Sequence, residues 1–153
     1  MRVLVQRVAR AAVHIDGETV ASIGPGLLLF VAFKAGDDDA DLTWMAEKVA
    51  YLRIFEDDAG KMNRSLLDVG GQALAVSQFT LYGDAWKGRR PSFDASAPAG
   101  QARPLFEKFV DILASYGIMI AIGRFQAVMQ VELVNDGPVT IMLDSPGREA
   151  PRG

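Results

Sequence analysis

The sequence predicts a single mixed α/β domain over residues 1–153, in which a curled, largely antiparallel sheet forms a barrel-like core beside two main helices. Short apolar segments are separated by turn residues, which is typical of strands connected by hairpins. Two longer segments instead repeat apolar residues at helical spacing. Because such a sheet must hide its edges, we expect it to curl or to pair with a second copy. Residues 145–153, with two prolines and two glycines, are expected to form a frayed tail.

Three strands are predicted near the N-terminus. Residues 3–8 and 12–15 have strand-like apolar patterns with a bend between them. Asp16-Gly17 is a strong hairpin signal before a strand over residues 18–23. Residues 27–33 are apolar on both faces, which is typical of a central strand.

Two helices and further strands follow. Asp37, Asp38 and Asp39 offer N-cap oxygens and negative charge where the first helix begins. Apolar residues then recur at helical spacing: Leu42, Met45, Val49, Leu52. A second helix is expected from about Gly100, with Gly117 just beyond its end. Further strands are predicted over residues 53–56, 72–81, 118–125, 127–134 and 139–143.

Composition narrows the possible functions. The net charge of −3 and pI near 5.1 argue against coating nucleic acid by bulk charge, so we expect no DNA partner. The longest apolar run, residues 27–33, is too short to cross a membrane, and arginines interrupt the first apolar segment. We therefore expect a cytoplasmic protein without membrane contact. Because half of the residues are hydrophobic, an interface between subunits is also expected.

Most familiar catalytic motifs are missing from the sequence. There is no G-x-S-x-G elbow, no P-loop and no G-x-G-x-x-G after a strand, which argues against most hydrolases, kinases and dehydrogenases. One histidine and no cysteine argue against a structural zinc site, and we expect neither a metal nor a cofactor. His14 lies in a strand pattern without a catalytic motif beside it, so a structural role is favoured.

A polar segment, Ser77-Gln78-Phe79-Thr80, ends a predicted buried strand. The Thr80 hydroxyl is a candidate nucleophile, but the neighbouring sequence supplies no base. A threonine that simply favours a strand explains the position equally well. Backbone N–H groups around residues 77–79 are the alternative, since an oxyanion hole requires geometry and not side-chain acidity.

Two other segments leave alternatives open. Lys87, Arg89 and Arg90 cluster in an irregular stretch, where they either face solvent or contact phosphate. Gly137-Pro138 is either a rigid turn between two strands or a cis peptide whose neighbouring carbonyl groups point the same way and hold an ammonium group.

Together these segments resemble the D-aminoacyl-tRNA deacylase family, over essentially the whole chain. The matching segments are residues 1–8, Gly60-Lys61-Met62-Asn63, Ser77-Gln78-Phe79-Thr80-Leu81, Lys87-Gly88-Arg89-Arg90-Pro91-Ser92-Phe93, Met129 and Asn135-Asp136-Gly137-Pro138-Val139-Thr140. One segment departs from the family pattern Thr-Gly-x-Phe-Gly-Ala-x-Met. Here the chain has Ile122 and Gln126 in place of the first threonine and the second glycine, which bears on details of substrate contact.

The resemblance implies a homodimer that hydrolyses the ester between a D-amino acid and the 3′ end of tRNA, with glycyl-tRNA mischarged on tRNA-Ala as a further substrate. In that family the Gly-cisPro element of one subunit enters the site of the other and excludes L-amino acids. The adenosine 2′-OH assists catalysis while the protein supplies positioning. The implied site residues are Ser77, Gln78, Phe79 and Thr80 for catalysis, Gly137, Pro138, Met129 and Phe125 for substrate and chirality, and Lys87, Arg89 and Arg90 for tRNA.

Two other classes of function remain open. A threonine-nucleophile hydrolase of free D-amino acid esters would use Thr80 without RNA. A non-catalytic RNA-binding dimer would use the basic cluster without deacylation. Incubation with matched D- and L-aminoacyl-tRNA separates all three.

Overall fold

The computed structural model describes residues 1–146, and residues 147–153 of the expected tail lie outside this part of the chain. The strands are β1 Arg2–Ile15, β2 Glu18–Ile23, β3 Gly26–Ala32, β4 Phe55–Glu56, β5 Met62–Arg64, β6 Gln72–Ser77, β7 Ile120–Ile122 and β8 Gln130–Asp144. The α-helices are α1 Asp39–Tyr51, α2 Leu66–Val69 and α3 Ala99–Ala114, and a 3-10 helix spans Phe79–Tyr82.

Strand β1 organises the main sheet. It pairs antiparallel with β2 and β3 along one edge and with β8 along the other. β3, β6 and β7 continue the sheet as parallel strands. Because β2 also contacts β6 and β7, the sheet curls towards closure. The mixed α/β fold with a barrel-like sheet is therefore confirmed, with antiparallel pairs around β1 and parallel pairs beyond β3.

Apolar clusters cover both faces of the sheet. Helices α1 and α3 pack on one face, where Leu29 and Phe109 belong to the larger cluster. Leu28 belongs to a second cluster inside the curl. Adjacent residues of a strand point to opposite faces, and both leucines are fully buried. This confirms that the apolar run forms a central strand.

Both predicted main helices are present. The Ala40 N–H donates to Asp38 Oδ1 over 3.1 Å and the Asp38 N–H donates to Asp41 Oδ2 over 3.0 Å, which forms a capping box at the start of α1. Beyond α3, Gly117 adopts the positive φ of 85° expected near a helix end. The short helix α2, which begins with a second capping box at Ser65, was not predicted.

Three predicted strands are shorter in the structure. Residues 72–81 were expected to form one strand, but β6 ends at Ser77 because its partner β3 ends at Ala32. Residues 118–125 contribute only Ile120–Ile122, which pair with residues 73–75 of β6. Residues 53–56 contribute only Phe55–Glu56.

The predicted strands over residues 127–134 and 139–143 are one strand, β8. Strand β1 is long enough to pair with both halves. Between the Val8–Asn135 and Gln6–Thr140 pairs, four residues of β8 (136–139) stand opposite Arg7 alone. Gly137-Pro138 is therefore part of a bulge and not of a turn between two strands.

The start of the expected tail is ordered. Ser145 is buried, its N–H donates to the Met1 carbonyl over 2.9 Å, and its Oγ accepts from the Met1 ammonium over 2.9 Å. The Met1 ammonium also contacts the Asp37 carboxylate at 2.8 Å. The prediction of fraying was wrong for Ser145. Within residues 1–146, no helix is long and apolar enough to cross a membrane.

Candidate functional site

The strand-end segment (residues 77–80) lies at the carboxyl end of β6. Ser77 pairs with Val31 of β3, and the Gln78 N–H donates to the Val31 carbonyl over 2.7 Å. The chain then turns into the 3-10 helix, in which the Gly83 N–H donates to the Thr80 carbonyl over 2.9 Å. The first N–H groups of a helix have no intrahelical acceptor. The Phe79 and Thr80 amides therefore have no acceptor within the 3-10 helix, whose first backbone bond is Leu81 N–H to the Gln78 carbonyl.

The Thr80 side chain is exposed and its hydroxyl accepts a hydrogen bond from the Gln78 side-chain amide. An amide is not a base. Within residues 1–146, neither a histidine nor a carboxylate contacts this hydroxyl. The segment therefore offers hydrogen-bonding groups and no means of activating Thr80 as a nucleophile.

Arg2 holds the far end of the 3-10 helix. Its Nη1 donates to the Leu81 carbonyl over 3.0 Å, its Nε donates to Asp144 Oδ1 over 2.8 Å, and its guanidinium lies 4.9 Å from the centre of the Tyr82 ring. Burial and then the Asp37 and Asp144 carboxylates raise the pKa of Tyr82. The phenol beside the segment therefore stays protonated at neutral pH and cannot act as a base.

Phe125 and Met129 lie in the loop that follows β7. The Gly123 N–H donates to the Ala75 carbonyl of β6 over 3.0 Å, so this loop starts beside the end of β6. A Cβ on Gly123 would lie 2.7 Å from the Met129 sulfur, and the Phe125 ring lies 6.4 Å from that of Phe106. Both predicted substrate residues are half-buried at the same edge of the sheet as the strand-end segment.

The two departures from the family pattern differ in their surroundings. Ile122 is 46% exposed at the end of β7. Gln126 is exposed and has a φ of 62°, a left-handed conformation that favours glycine. This explains physically why the family pattern has glycine at the Gln126 position.

The basic loop (residues 84–92) follows the 3-10 helix. Asp84 and Ser92 exchange two backbone hydrogen bonds, each of 2.7 Å. Phe93 packs edge-on against Phe79, with ring centres 5.2 Å apart. Lys87, Arg89 and Arg90 are exposed in this loop, and none of them forms a salt bridge within residues 1–146.

The Gly-Pro bulge (residues 136–139) contains the cis Gly137-Pro138 bond that was expected. The Val139 N–H donates to Asn135 Oδ1 over 2.8 Å, and Asn135 Nδ2 donates to the Val139 carbonyl over 3.1 Å. Arg7, which is buried, donates through Nε to the Asp136 carbonyl over 2.8 Å and through Nη1 to the Ile54 carbonyl over 2.7 Å. Side chains thus bond to the first and the last residue of the bulge, Asp136 and Val139.

The bulge and the strand-end segment are far apart within one chain. Arg7 pairs with Leu27, Leu27 pairs with Ala73, and Ser77 lies four residues further along β6 (77 minus 73). This displacement is roughly 13 Å along the strands, and the steps from β8 through β1 and β3 to β6 add roughly 14 Å when measured along the curved sheet. A cavity of about 390 Å³ lies at the bulge end, lined by Val8, Phe55, Gln72 and Asp136 among others.

His14 is held within a ladder of cross-strand contacts. Thr19 Oγ1 lies 2.9 Å from His14 Nδ1, and His14 Nε2 lies 3.0 Å from Glu132 Oε2. Arg10 and then His14 lower the pKa of Glu132. These contacts support the structural role predicted for His14. Within residues 1–146, no group of three or more histidine and carboxylate side chains is arranged to hold a metal ion.

The family model for D-Tyr-tRNA(Tyr) deacylase matches residues 4–144. The chain belongs to this deacylase family. A D-aminoacyl-tRNA deacylase of Thermomicrobium roseum is 62% identical over 145 residues, which are 95% of this chain and 94% of that protein. The corresponding protein of Heliobacterium modesticaldum is 55% identical over 150 residues, which are 98% of this chain and 100% of that protein.

Two solved structures share the fold of this chain. One titled as a c-Myc DNA Unwinding Element Binding Protein superposes with a TM-score of 0.91 at 39% identity, covering 96% of this chain and 100% of its own. One titled as a probable eukaryotic D-amino acid tRNA deacylase has a TM-score of 0.82 at 18% identity, covering 93% and 97%, and supports the fold.

The structure also reveals residues of this deacylase fold whose contacts the sequence did not show. Arg2, Arg7 and Asn135 each bond to backbone beside a predicted site segment. Asn135 lies two residues before Gly137 in the matching motif, and this motif is the local signal that points to it. The partners of Arg2 and Arg7 lie far away in sequence, so no local pattern points to them.

Proposed function

We propose that the protein hydrolyses the ester bond between a D-amino acid and the 3′ end of tRNA. The observation that carries the proposal is the strand-end segment, in which Phe79 and Thr80 are exposed and hydrogen-bond donors occur without a base, in a chain of a deacylase family. Such a site suits a reaction in which the enzyme orients the ester and stabilises charge.

The proposed chemistry needs no covalent enzyme intermediate. Water attacks the ester carbonyl, the Phe79 and Thr80 amides stabilise the developing oxyanion, and the bond to the 3′ oxygen breaks as that oxygen takes up the proton that the attacking water gives up. The adenosine 2′-OH assists by hydrogen bonding. Ser77, Gln78 and Thr80 position the substrate, while Phe125 and Met129 line the place of the amino acid.

Chiral selection requires a second copy in this proposal. The Gly-Pro bulge lies too far from the strand-end segment of its own chain to touch the same amino acid. We infer that the bulge of one subunit of a homodimer faces the strand-end segment of the other. Backbone around Gly137 and Pro138 then receives the ammonium group and leaves no room for an L side chain.

The basic loop supplies the proposed contact with tRNA. Lys87, Arg89 and Arg90 are exposed and unpaired within residues 1–146, so they are available to phosphates. Glycyl-tRNA mischarged on tRNA-Ala fits the same proposed site because glycine has no side chain to exclude. We place the reaction in the cytoplasm, with neither DNA nor a cofactor as a partner.

The test is ester loss from matched D- and L-aminoacyl-tRNA. We expect hydrolysis of the D ester and of glycyl-tRNA, with the L ester left intact. Equal hydrolysis of free D-amino acid esters would instead indicate a threonine-nucleophile hydrolase. Binding of both charged tRNAs without ester loss would indicate a non-catalytic RNA-binding protein.

A further inference from the structure

Trp86 projects its indole from the basic loop and is 90% exposed. Isolated exposed apolar residues are common on protein surfaces and need no explanation by themselves. Trp86 differs because its backbone is held in place, its neighbours are cations, and its loop is joined to the candidate site. These three properties together indicate a ligand.

The loop presents Trp86 on a closed frame. The ends of the loop are joined by the two backbone hydrogen bonds between Asp84 and Ser92, and the backbone N–H of Trp86 donates to Asp84 Oδ1 over 2.9 Å. Preorganisation of this kind reduces the entropy lost when a ligand binds.

The frame is joined directly to the strand-end segment. On one side the Gly83 N–H donates to the Thr80 carbonyl over 2.9 Å, and on the other Phe93 packs on Phe79. A Cβ on Gly83 would lie 3.0 Å from both the Thr80 carbonyl oxygen and the Phe93 ring, so these elements are in close contact. A chain bound at Thr80 can therefore continue along the basic loop.

The charges around Trp86 suit a polyanion. Lys87, Arg89 and Arg90 follow it within four residues and are exposed. Two carboxylates lie nearby. Asp84 accepts a hydrogen bond from the backbone N–H of Trp86, and Asp94 lies beyond Ser92 at the far end of the loop. An aromatic platform flanked by cations is the arrangement by which proteins bind single-stranded nucleic acid, with bases stacked on the ring and phosphates on the cations.

We propose that Trp86 stacks against a base of the single-stranded 3′ end of tRNA, with Lys87, Arg89 and Arg90 on the adjoining phosphates. This inference rests on the proposed function, because it requires the ester to lie at the strand-end segment. Stacking holds the 3′ end and contributes binding without taking part in the chemistry, so Trp86 determines affinity for the substrate.

The first experiment measures the fluorescence of Trp86 with uncharged RNA. The chain has two tryptophans, so Trp44→Phe leaves Trp86 as the reporter. We expect a cytidine-cytidine-adenosine trinucleotide to quench its emission, and an abasic strand of the same length and charge to leave it unchanged. Equal quenching by both strands, or none by either, would overturn the stacking. Protection of Trp86 fluorescence from acrylamide quenching in the RNA-free protein would also overturn the stacking, because it would show that Trp86 is buried in an interface.

The second experiment compares Trp86→Leu with Trp86→Phe in deacylation. We expect Trp86→Leu to raise KM roughly 5- to 100-fold with kcat retained, and Trp86→Phe to restore most of the affinity because a ring remains. An unchanged KM in Trp86→Leu contradicts the inference while leaving the deacylase function intact. Base-dependent quenching in a protein that hydrolyses no ester supports the stacking and contradicts only the proposed function.

Discussion

The Gly-Pro bulge and the strand-end segment are held in different ways. In the bulge, the Arg7 guanidinium bonds to the backbone of the first residue, Asp136, and the Asn135 amide bonds to the backbone of the last residue, Val139. In the strand-end segment, Phe79 and Thr80 face solvent. The Gln78 N–H bonds to the Val31 carbonyl, the Ser96 hydroxyl donates to the Phe79 carbonyl, and Arg2 supports the end of the 3-10 helix. A fixed backbone suits exclusion of the wrong enantiomer, whereas open donors suit binding of a reacting ester. In the proposed function, each region supplies one part of a shared site.

We expect the largest loss of activity when the Phe79 backbone N–H, at the start of the 3-10 helix, is removed. Phe79→Pro removes the N–H while proline remains acceptable at a first helical position. We expect kcat for D-aminoacyl-tRNA to fall by about 100-fold or more, as for loss of one oxyanion donor. Phe79→Ala is the matched control, since it removes the ring and retains the N–H. Equal kcat values for the two variants would show that this amide is not a donor in catalysis.

The next effect concerns the fixed backbone of the bulge. A Cβ on Gly137 would lie 2.5 Å from the Val139 nitrogen, so Gly137→Ala must shift the bulge. We expect kcat/KM to fall by about 100-fold, because displacements near 1 Å have effects of this size. Gly100→Ala is the control, as a Cβ there meets nothing within 4 Å. Full activity of Gly137→Ala would show that the Gly-Pro bulge is not part of the site.

Arg2→Met tests whether Arg2, which lies outside the strand-end segment, stabilises the position of that segment. Methionine keeps an apolar stem but loses the bonds to the Leu81 carbonyl and to Asp144. We expect kcat/KM to fall by about 5- to 10-fold, which corresponds to about 1 kcal/mol for a lost hydrogen bond. Arg10→Met removes a comparable β1–β8 ion pair with Glu132, and its activity should stay within about twofold of the parent. Equal losses in both variants would mean that Arg2 acts only on sheet stability.

Gln126→Gly should produce the smallest effect, and it acts on stability. Replacement by glycine relieves a left-handed backbone at an exposed position. We expect the free energy of unfolding to rise by up to about 1 kcal/mol in urea denaturation. A decrease would show that the Gln126 side chain makes a compensating contribution.

The sequence predicted the elements whose signals are local. The Asp16-Gly17 hairpin, the capped helix α1 and the central strand β3 follow from turn chemistry, capping oxygens and apolar runs. Strand ends depended on partners instead: β6 stops where β3 ends, and β8 continues through Gly137-Pro138 because β1 runs opposite it. The candidate site residues came from motifs, but Arg2 and Arg7 contact groups 79 and 129 residues away in sequence.

We infer that each site combines the strand-end segment of one subunit with the Gly-Pro bulge of another. The direct measurement mixes two inactive variants, Phe79→Pro and Gly137→Ala, in equal amounts after unfolding and refolding together. A shared site should restore about one quarter of the parental activity, because half of the dimers are mixed and each has one intact site. If mixed dimers form and no activity returns, both segments act within the same chain and a site shared between subunits is excluded.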